Sequence, residues 1–248
     1  MKKIGIVGGV SWRSTVDYYS EICRRAEQRQ LVPESHPSIT MPEISIESLD
    51  HNKAVSYLGS DEDEVSWLQF DNYHRQALQR LERSGTDFAL IASNTPHHRF
   101  DSIVRGIGIP VINIFDAVAN ASARLGARQV LILGTSVTMK STKLRAAFER
   151  HGIIAARPEQ ETAEQMTTEL IADLGVGKIE GAQERVDNIV RTSIHHASAT
   201  PPAVCLACTE LPLAFEQDKT LSTFQYAGIW YINSSMVHVE AAVDFAFT

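Results

Sequence analysis

Short apolar runs alternate with longer amphipathic stretches along this chain, and that alternation limits what it can fold into. Apolar runs at 3–7, 88–92, 110–114, 130–133, 203–207 and 230–232 predict strands, with a weaker one within 38–46. Helical periodicity fits 13–29, 62–83, 117–125, 141–151, 162–174, 179–198 and 235–247. In the 62–83 stretch, Val65, Leu68, Ala77, Leu78 and Leu81 read as one apolar face. Strands separated by helices imply βαβ units and parallel sheets, so the fold class is α/β. No Pro/Ser/Gly-rich linker divides the chain, and His36–Pro37 and Pro201–Pro202 read as ordinary helix-to-strand loops.

Three blocks occur twice and in the same order. Ile4-Gly5-Ile6-Val7-Gly8-Gly9 with Ser11, Ser14 and Thr15 pairs with Val130-Leu131-Ile132-Leu133-Gly134-Thr135 with Ser136, Ser141 and Thr142. Phe88 to Pro96 pairs with Ala203 to Pro212, and Ile109 to Asn113 pairs with Ile229 to Asn233. Two similar α/β lobes with a cleft between them are the expected architecture. Ligands of parallel sheets bind at the carboxyl ends of the strands. Ser93 and Cys208 each follow such a strand, so a pseudo-twofold is expected to set them opposite each other.

Composition narrows the function classes. Of 248 residues, 44% are hydrophobic and 21% charged, an ordinary globular balance that excludes a disordered tail or a disulfide mini-scaffold. The net charge of -7, without a Lys/Arg cluster, argues against nucleic acid as a partner. Cys23, Cys205 and Cys208 are too few and odd in number for a disulfide framework, which points to a reducing compartment. No apolar run approaches the roughly 20 residues of a membrane span. The apolar opening is short and Gly-rich, and reads as a first strand and not a signal segment. A cytoplasmic protein without membrane partners is expected.

Cys208 is the sharpest chemical candidate. It follows a buried strand and precedes Thr209-Glu210, which are expected to open a helix whose N–H groups and dipole favour a thiolate. A small buried hydrophobe is the alternative reading of such a cysteine. Cys205 and Cys208 form a C-x-x-C, but Cys205 lies inside an apolar strand and no second pair exists, so neither redox nor zinc use is expected. Ser93-Asn94-Thr95 can bind a carboxylate through amides and hydroxyls, or merely cap a helix. Ser11 after Gly8-Gly9 is similar. The adjacent pairs His97-His98 and His195-His196 chelate poorly and read as solvated or capping residues. The acidic run Asp61–Glu64 reads as a first helical turn complementing its dipole. Neither G-x-G-x-x-G nor G-x-x-x-x-G-K-[ST] is present, so no nucleotide site has motif support.

At these residues the sequence resembles the aspartate/glutamate racemase family over nearly its whole length. Gly8-Gly9-Val10-Ser11-Trp12-Arg13-Ser14-Thr15 with Tyr18-Tyr19 resembles the opening signature of one subgroup. Ser93-Asn94-Thr95-Pro96-His97 resembles the family's Cys-Asn-Thr-x-His motif, and Leu206-Ala207-Cys208-Thr209-Glu210 its Gly-Cys-Thr-Glu motif. Gly134-Thr135 with Thr138-Met139, and His238 with Ala241-Ala242, match further stations. The resemblance implies two lobes, one of residues 1–97 plus 209–248 and the other of 98–208. It implies a homodimer and racemisation of a small-molecule amino-acid substrate without cofactor or metal. Two groups flank the α-carbon in such a reaction; one removes the proton and the other returns one from the opposite face.

Three departures stand out: Ser93 in place of cysteine, Ala207 in place of glycine, and Gln165 where many relatives carry lysine. Lys140 is an alternative source of positive charge. Cys208 is expected as base and Ser93 as the opposed proton donor. Val10, Ser11, Asn94, Thr95, Thr138, Thr209 and Glu210 are expected to bind substrate. A hydroxyl is a poor base near neutral pH, so an L-side preference is expected on aspartate or glutamate. The alternatives are a single-cysteine decarboxylase or isomerase of the same superfamily, and an inactive amino-acid-binding protein.

Overall fold

The computed structural model describes residues 1–30, 41–59, 63–194 and 202–248. His36–Pro37, His195-His196, Pro201, Asp61, Glu62 and the outer parts of the predicted strand at 38–46 and helix at 179–198 lie outside the described residues. Contacts divide the chain into two compact units, Met1–Asn113 with His238–Thr248, and Ile114–Val237.

The first unit runs β1 (Ile4–Gly8), α1 (Trp12–Gln30), β2 (Ile44–Ser48), α2 (His51–Ser56), α3 (Glu64–Arg83), β3 (Phe88–Ile91), a 3-10 helix (Thr95–Arg99), α4 (Phe100–Ile103) and β4 (Val111–Ile112). Its sheet has the order β2-β1-β3-β4, parallel throughout. The second unit runs α5 (Ile114–Arg124), β5 (Gln129–Gly134), α6 (Ser136–Met139), α7 (Thr142–Glu149), β6 (Ile154–Ala156), α8 (Glu161–Gly175), α9 (Ala182–Ser193), β7 (Ala203–Ala207), a 3-10 helix (Leu211–Ala214), β8 (Thr223–Tyr226) and β9 (Ile229–Asn233). Its order is β6-β5-β7-β9-β8, parallel except for the β8–β9 hairpin. The chain then enters α10 (Ser234–Ala246).

The sequence duplication is therefore a duplication of topology. β1, β3 and β4 hold the same sheet positions as β5, β7 and β9, and each repeat carries a 3-10 helix with proline near its start, Pro96 or Pro212. The expected boundaries at 97/98 and 208/209 are displaced to 113/114 and 237/238. The reason is strand pairing. β4 pairs with β3 and stays in the first sheet, while β9 pairs with β7 and stays in the second.

Strands β1, β3 and β7 are buried along their whole length, which is why they read as continuous apolar runs. Helix α3 corrects one expectation. Its buried face is Trp67, Phe70, Asp71, His74, Ala77, Leu78 and Leu81, whereas Val65 and Leu68 are exposed. At about 100° per residue, Leu68 lies half a turn away from Ala77 and cannot share its face. Asp63 caps this helix by accepting from the Ser66 N–H at 3.0 Å. Among the described residues no helix is long and apolar enough to cross a membrane.

Candidate active site

In the first unit, two turns leave the carboxyl ends of adjacent parallel strands. The turn after β1 contains Gly9, Val10 and Ser11. Gly9 has φ of +85°, and a Cβ there would lie 2.1 Å from the Leu49 carbonyl oxygen. Only glycine fits both constraints. Thr15 reaches back from α1 under this turn. Its Oγ1 accepts from the Gly9 N–H at 2.9 Å and donates to the Ser11 carbonyl at 3.0 Å. Ser11 Oγ faces the Ser14 N–H at 3.5 Å, at the start of α1. The Val10 carbonyl accepts from His51 Nδ1.

The turn after β3 contains Ala92, Ser93, Asn94 and Thr95. The Ala92 N–H donates to the Val7 carbonyl at 2.9 Å, so this turn leaves the sheet beside the first one. The Ser93 N–H folds back onto the Ile91 carbonyl at 2.8 Å. Ser93 and Thr95 are half-buried and Asn94 is buried. Val10, Ser11, Ser93, Asn94 and Thr95 thus share one sheet edge, as expected of a half-site.

His97, in contrast, is fully buried and not solvated. Its Nδ1 donates to the Ser93 carbonyl at 2.8 Å, and its ring stacks on Phe100 at 5.5 Å. His238 lies edge-on to it at 5.6 Å, accepting from the Tyr18 hydroxyl at Nδ1 and donating from Nε2 to the Ile112 carbonyl, each at 3.0 Å. Burial pushes His97 down to about 3 and His238 to about 4, so both rings are neutral. A neutral ring carries one N–H, and the carbonyl partners fix its place. Nothing in the local sequence marked these rings as buried; the four-residue spacing from Ser93 to His97 was the available signal.

In the second unit, Cys208 and Thr209 follow β7 and Thr138 follows β5, on adjacent strands whose register pairs Gly134 with Ala207. The Cys208 thiol, 5% exposed, donates to Glu210 Oε2 at 3.0 Å. Thr209 Oγ1 donates to the same oxygen at 2.9 Å. Burial and the Glu210 charge raise the thiol well above its ordinary range, outweighing the Glu210 and Leu211 N–H groups that favour thiolate. The expectation of a resting thiolate is thereby corrected. The helix that follows is a four-residue 3-10 segment with little dipole, and a carboxylate sits on the sulfur. Glu210 thus joins the thiol and the Thr209 hydroxyl at one carboxylate oxygen.

Thr138 is fully buried, with its hydroxyl 3.0 Å from that of Thr135. That contact and the Thr138 N–H on Thr135 Oγ1 at 3.3 Å hold the turn after β5. Lys140 is engaged with Glu164 at 2.8 Å, which Arg157 also meets at 2.9 Å and Ser136 at 2.8 Å. Burial opposes ionisation of Glu164, but the hydrogen bonds from Lys140 and Ser136 and the two cations hold it below the ordinary carboxylate range. Gln165 donates to Glu169 at 2.9 Å. Cys205 lies inside β7, where burial pushes its thiol up to about 12.

The family model for Asp/Glu/hydantoin racemase matches residues 7–242. Among solved structures, an aspartate racemase homologue from Pyrococcus horikoshii OT3 is 28% identical over 100% of both chains, with a TM-score of 0.76. An aspartate racemase from Picrophilus torridus, at 20% identity, covers 99% of this chain and 94% of its own with a TM-score of 0.73. A glutamate racemase from Campylobacter jejuni subsp. jejuni, at 19% identity, covers 98% of this chain and 85% of its own with a TM-score of 0.62. The last two share the fold. With the family model spanning both strand-end turns, the chain belongs to the Asp/Glu/hydantoin racemase family.

Proposed function

We propose that the protein is a cofactor-independent racemase of aspartate or glutamate, with Cys208 as the base acting on the L enantiomer and Ser93 as the opposed proton donor. The observation that carries this reading is the Cys208–Glu210 pair. Transfer of the thiol proton to Glu210 leaves a buried thiolate toward which the Glu210 and Leu211 N–H groups already point. A high thiol pKa makes the thiolate rare but strongly basic, which suits an α-C–H bond of very low acidity. The positive α-ammonium of a bound amino acid offsets the thiolate charge at that moment.

In the L-to-D direction the α-C–H bond breaks and its proton goes to Cys208 Sγ. The electron pair delocalises into the substrate carboxylate, which Ser11, Asn94, Thr95 and Thr209 hold through hydroxyls, amides and backbone N–H groups. Ser93 Oγ–H then protonates the other face, water returns a proton to the alkoxide, and the hydroxide so formed takes the proton that Glu210 holds. The reverse direction needs a serine alkoxide and is slow. By microscopic reversibility inversion is slow both ways, while Cys208 exchanges the L-side proton with retention. The family description and the Pyrococcus homologue support an acidic substrate. A homodimer and a cytoplasmic setting rest on the resemblance and the sparse cysteines.

Protein dialysed against excess chelator is expected to interconvert the enantiomers of aspartate or glutamate at the rate of untreated protein, read by chiral chromatography, with no visible absorption band. Activity restored only by a metal ion or a bound chromophore contradicts the reading. Carbon dioxide release points instead to the decarboxylase. Ligand-induced thermal stabilisation without turnover points to a binding protein.

A further inference from the structure

We infer that His97 is a positioning residue for the Ser93 turn, and that His238, held by Tyr18, fixes the His97 ring from its edge. The inference rests on the reading of Ser93 as the opposed proton donor.

The Ser93 turn has an unusual backbone problem. Its N–H is turned back on Ile91, so the chain leaves the ladder at that residue, and the Ser93 carbonyl needs a partner inside the protein. A buried carbonyl left unmade costs about 1–3 kcal/mol. His97 supplies the partner from four residues on, at 2.8 Å. The far end of the same 3-10 helix is tied down by Arg99, whose guanidinium meets the fully buried Asp71 at 2.9 Å and Glu64 at 2.6 Å, both on α3. The two ties fix the direction of the Ser93 Cα–Cβ bond.

The His97 ring has little freedom of its own. It lies between Phe100, parallel at 11°, and His238, near-perpendicular at 85°. His238 is fixed in turn by its two hydrogen bonds, to Tyr18 in α1 and to the Ile112 carbonyl in β4. Each imidazole therefore pins one carbonyl at the carboxyl edge of the first sheet. The opening motif, the Ser93 motif and the His238 station are thereby joined physically, although they lie far apart in sequence.

Such rigidity matters more for a hydroxyl than for a thiol. Ser93 is a weak acid whose contribution depends on being aligned with the α-carbon, and misplacement by about 1 Å can cost roughly 10²-fold. At the Cys208 turn the equivalent carbonyl accepts from the Leu211 N–H at 3.2 Å and so does not depend on a side-chain donor. Loss of His97 should thus weaken one half-reaction and spare the other.

The experiment compares two rates in deuterium oxide on the full-length protein: exchange of the L-side α-proton with retention, and inversion. His97→Phe preserves the ring volume and removes the donor. Its inversion is expected to fall about 10- to 100-fold while L-side exchange stays within about 3-fold. His97→Asn, whose amide N–H reaches the same carbonyl and cannot titrate, is expected to restore most of the inversion. Should His97→Phe fail to fold, Tyr18→Phe gives the second test, with a lower ratio of inversion to exchange at unchanged L-side exchange. Equal loss of both rates, or an unchanged ratio, overturns the positioning role. Ser93→Ala separates the two claims: an unchanged ratio there removes the Ser93 reading itself, whereas a reduced ratio there with an unaffected His97→Phe overturns the positioning alone.

Discussion

Cys208→Ala is expected to lower α-proton exchange from the L enantiomer, and inversion in both directions, by about 10³-fold or more, because it removes the one base that the L side has. The loss should be chemical and not structural. Cys208 packs in the core of the second unit beside Leu206 and Leu211, and exchanging its sulfur for hydrogen leaves only a small void. Deleting one buried heavy atom of this size costs about 1 kcal/mol, well within the stability of a folded domain. Glu210→Gln isolates the next element. It keeps an oxygen within reach of the thiol and of Thr209 but cannot take a proton, and a fall of about 10²-fold is expected. Proton NMR of the α-position in deuterium oxide checks both variants, with thermal melts to establish folding. Wild-type exchange in Cys208→Ala would mean that another group is the base.

Acidification is expected to unfold the first unit in a window that carboxylates do not explain. His74, His97 and His238 are all fully buried in it, and burial holds them at about 4, 3 and 4. The titratable groups facing them are Asp71 beside His74, with Arg99 on the far side of Asp71, Tyr18 on His238, and the rings of His238 and His74 toward His97. In the unfolded chain a histidine titrates near 6.5. Between that value and the folded ones, the unfolded state binds more protons than the native state, so stability falls as pH falls. Their contribution is complete above about pH 6.5, and by pH 5 each has lost about 2 kcal/mol at 1.36 kcal/mol per unit. Together that is a large share of the roughly 5–15 kcal/mol that holds a domain folded. Glu164 and Asp173, whose partners hold them below the ordinary carboxylate range, lose their contribution only at lower pH. Urea unfolding at pH 7.5 and pH 5 measures the difference. A midpoint that does not move contradicts the assignment of these three rings as buried and neutral.

The parts of the fold that were legible in the sequence are those that local patterning controls. β1, β3, β5 and β7 are buried parallel strands, and burial on both faces writes itself as an apolar run, whereas β9 is buried only from Tyr231 onward. β8 was missed because it lies at the edge of its sheet with only Phe224 fully buried. Its hairpin turns through Ala227 at φ 49° and Gly228, without the Asn-Gly signature. β6 was missed because it has three residues and an exposed Ile154. The phase of α3 was misread at Val65 and Leu68, since apolar residues on an exposed face look the same in sequence as those on a buried one.

The candidate site divides in the same way. That Ser93 and Cys208 follow equivalent strands was visible from the repeats. The protonation of Cys208 was not, because it turns on where Glu210 directs its carboxylate. The fate of Lys140 was likewise hidden: its partner, Glu164, is brought up by α8. His97 looked polar beside His98, but its burial comes from Phe100, α10 and the support of α3, all of them tertiary.

The most direct measurement follows the α-proton of L- and D-aspartate, and of L- and D-glutamate, separately in deuterium oxide with the unaltered protein. The expected result is rapid loss of the α-proton from an L enantiomer with retention, and much slower loss from its D counterpart, with inversion slower than L-side exchange. Equal exchange rates from the two enantiomers would contradict the division of labour between the Cys208 thiol and the Ser93 hydroxyl.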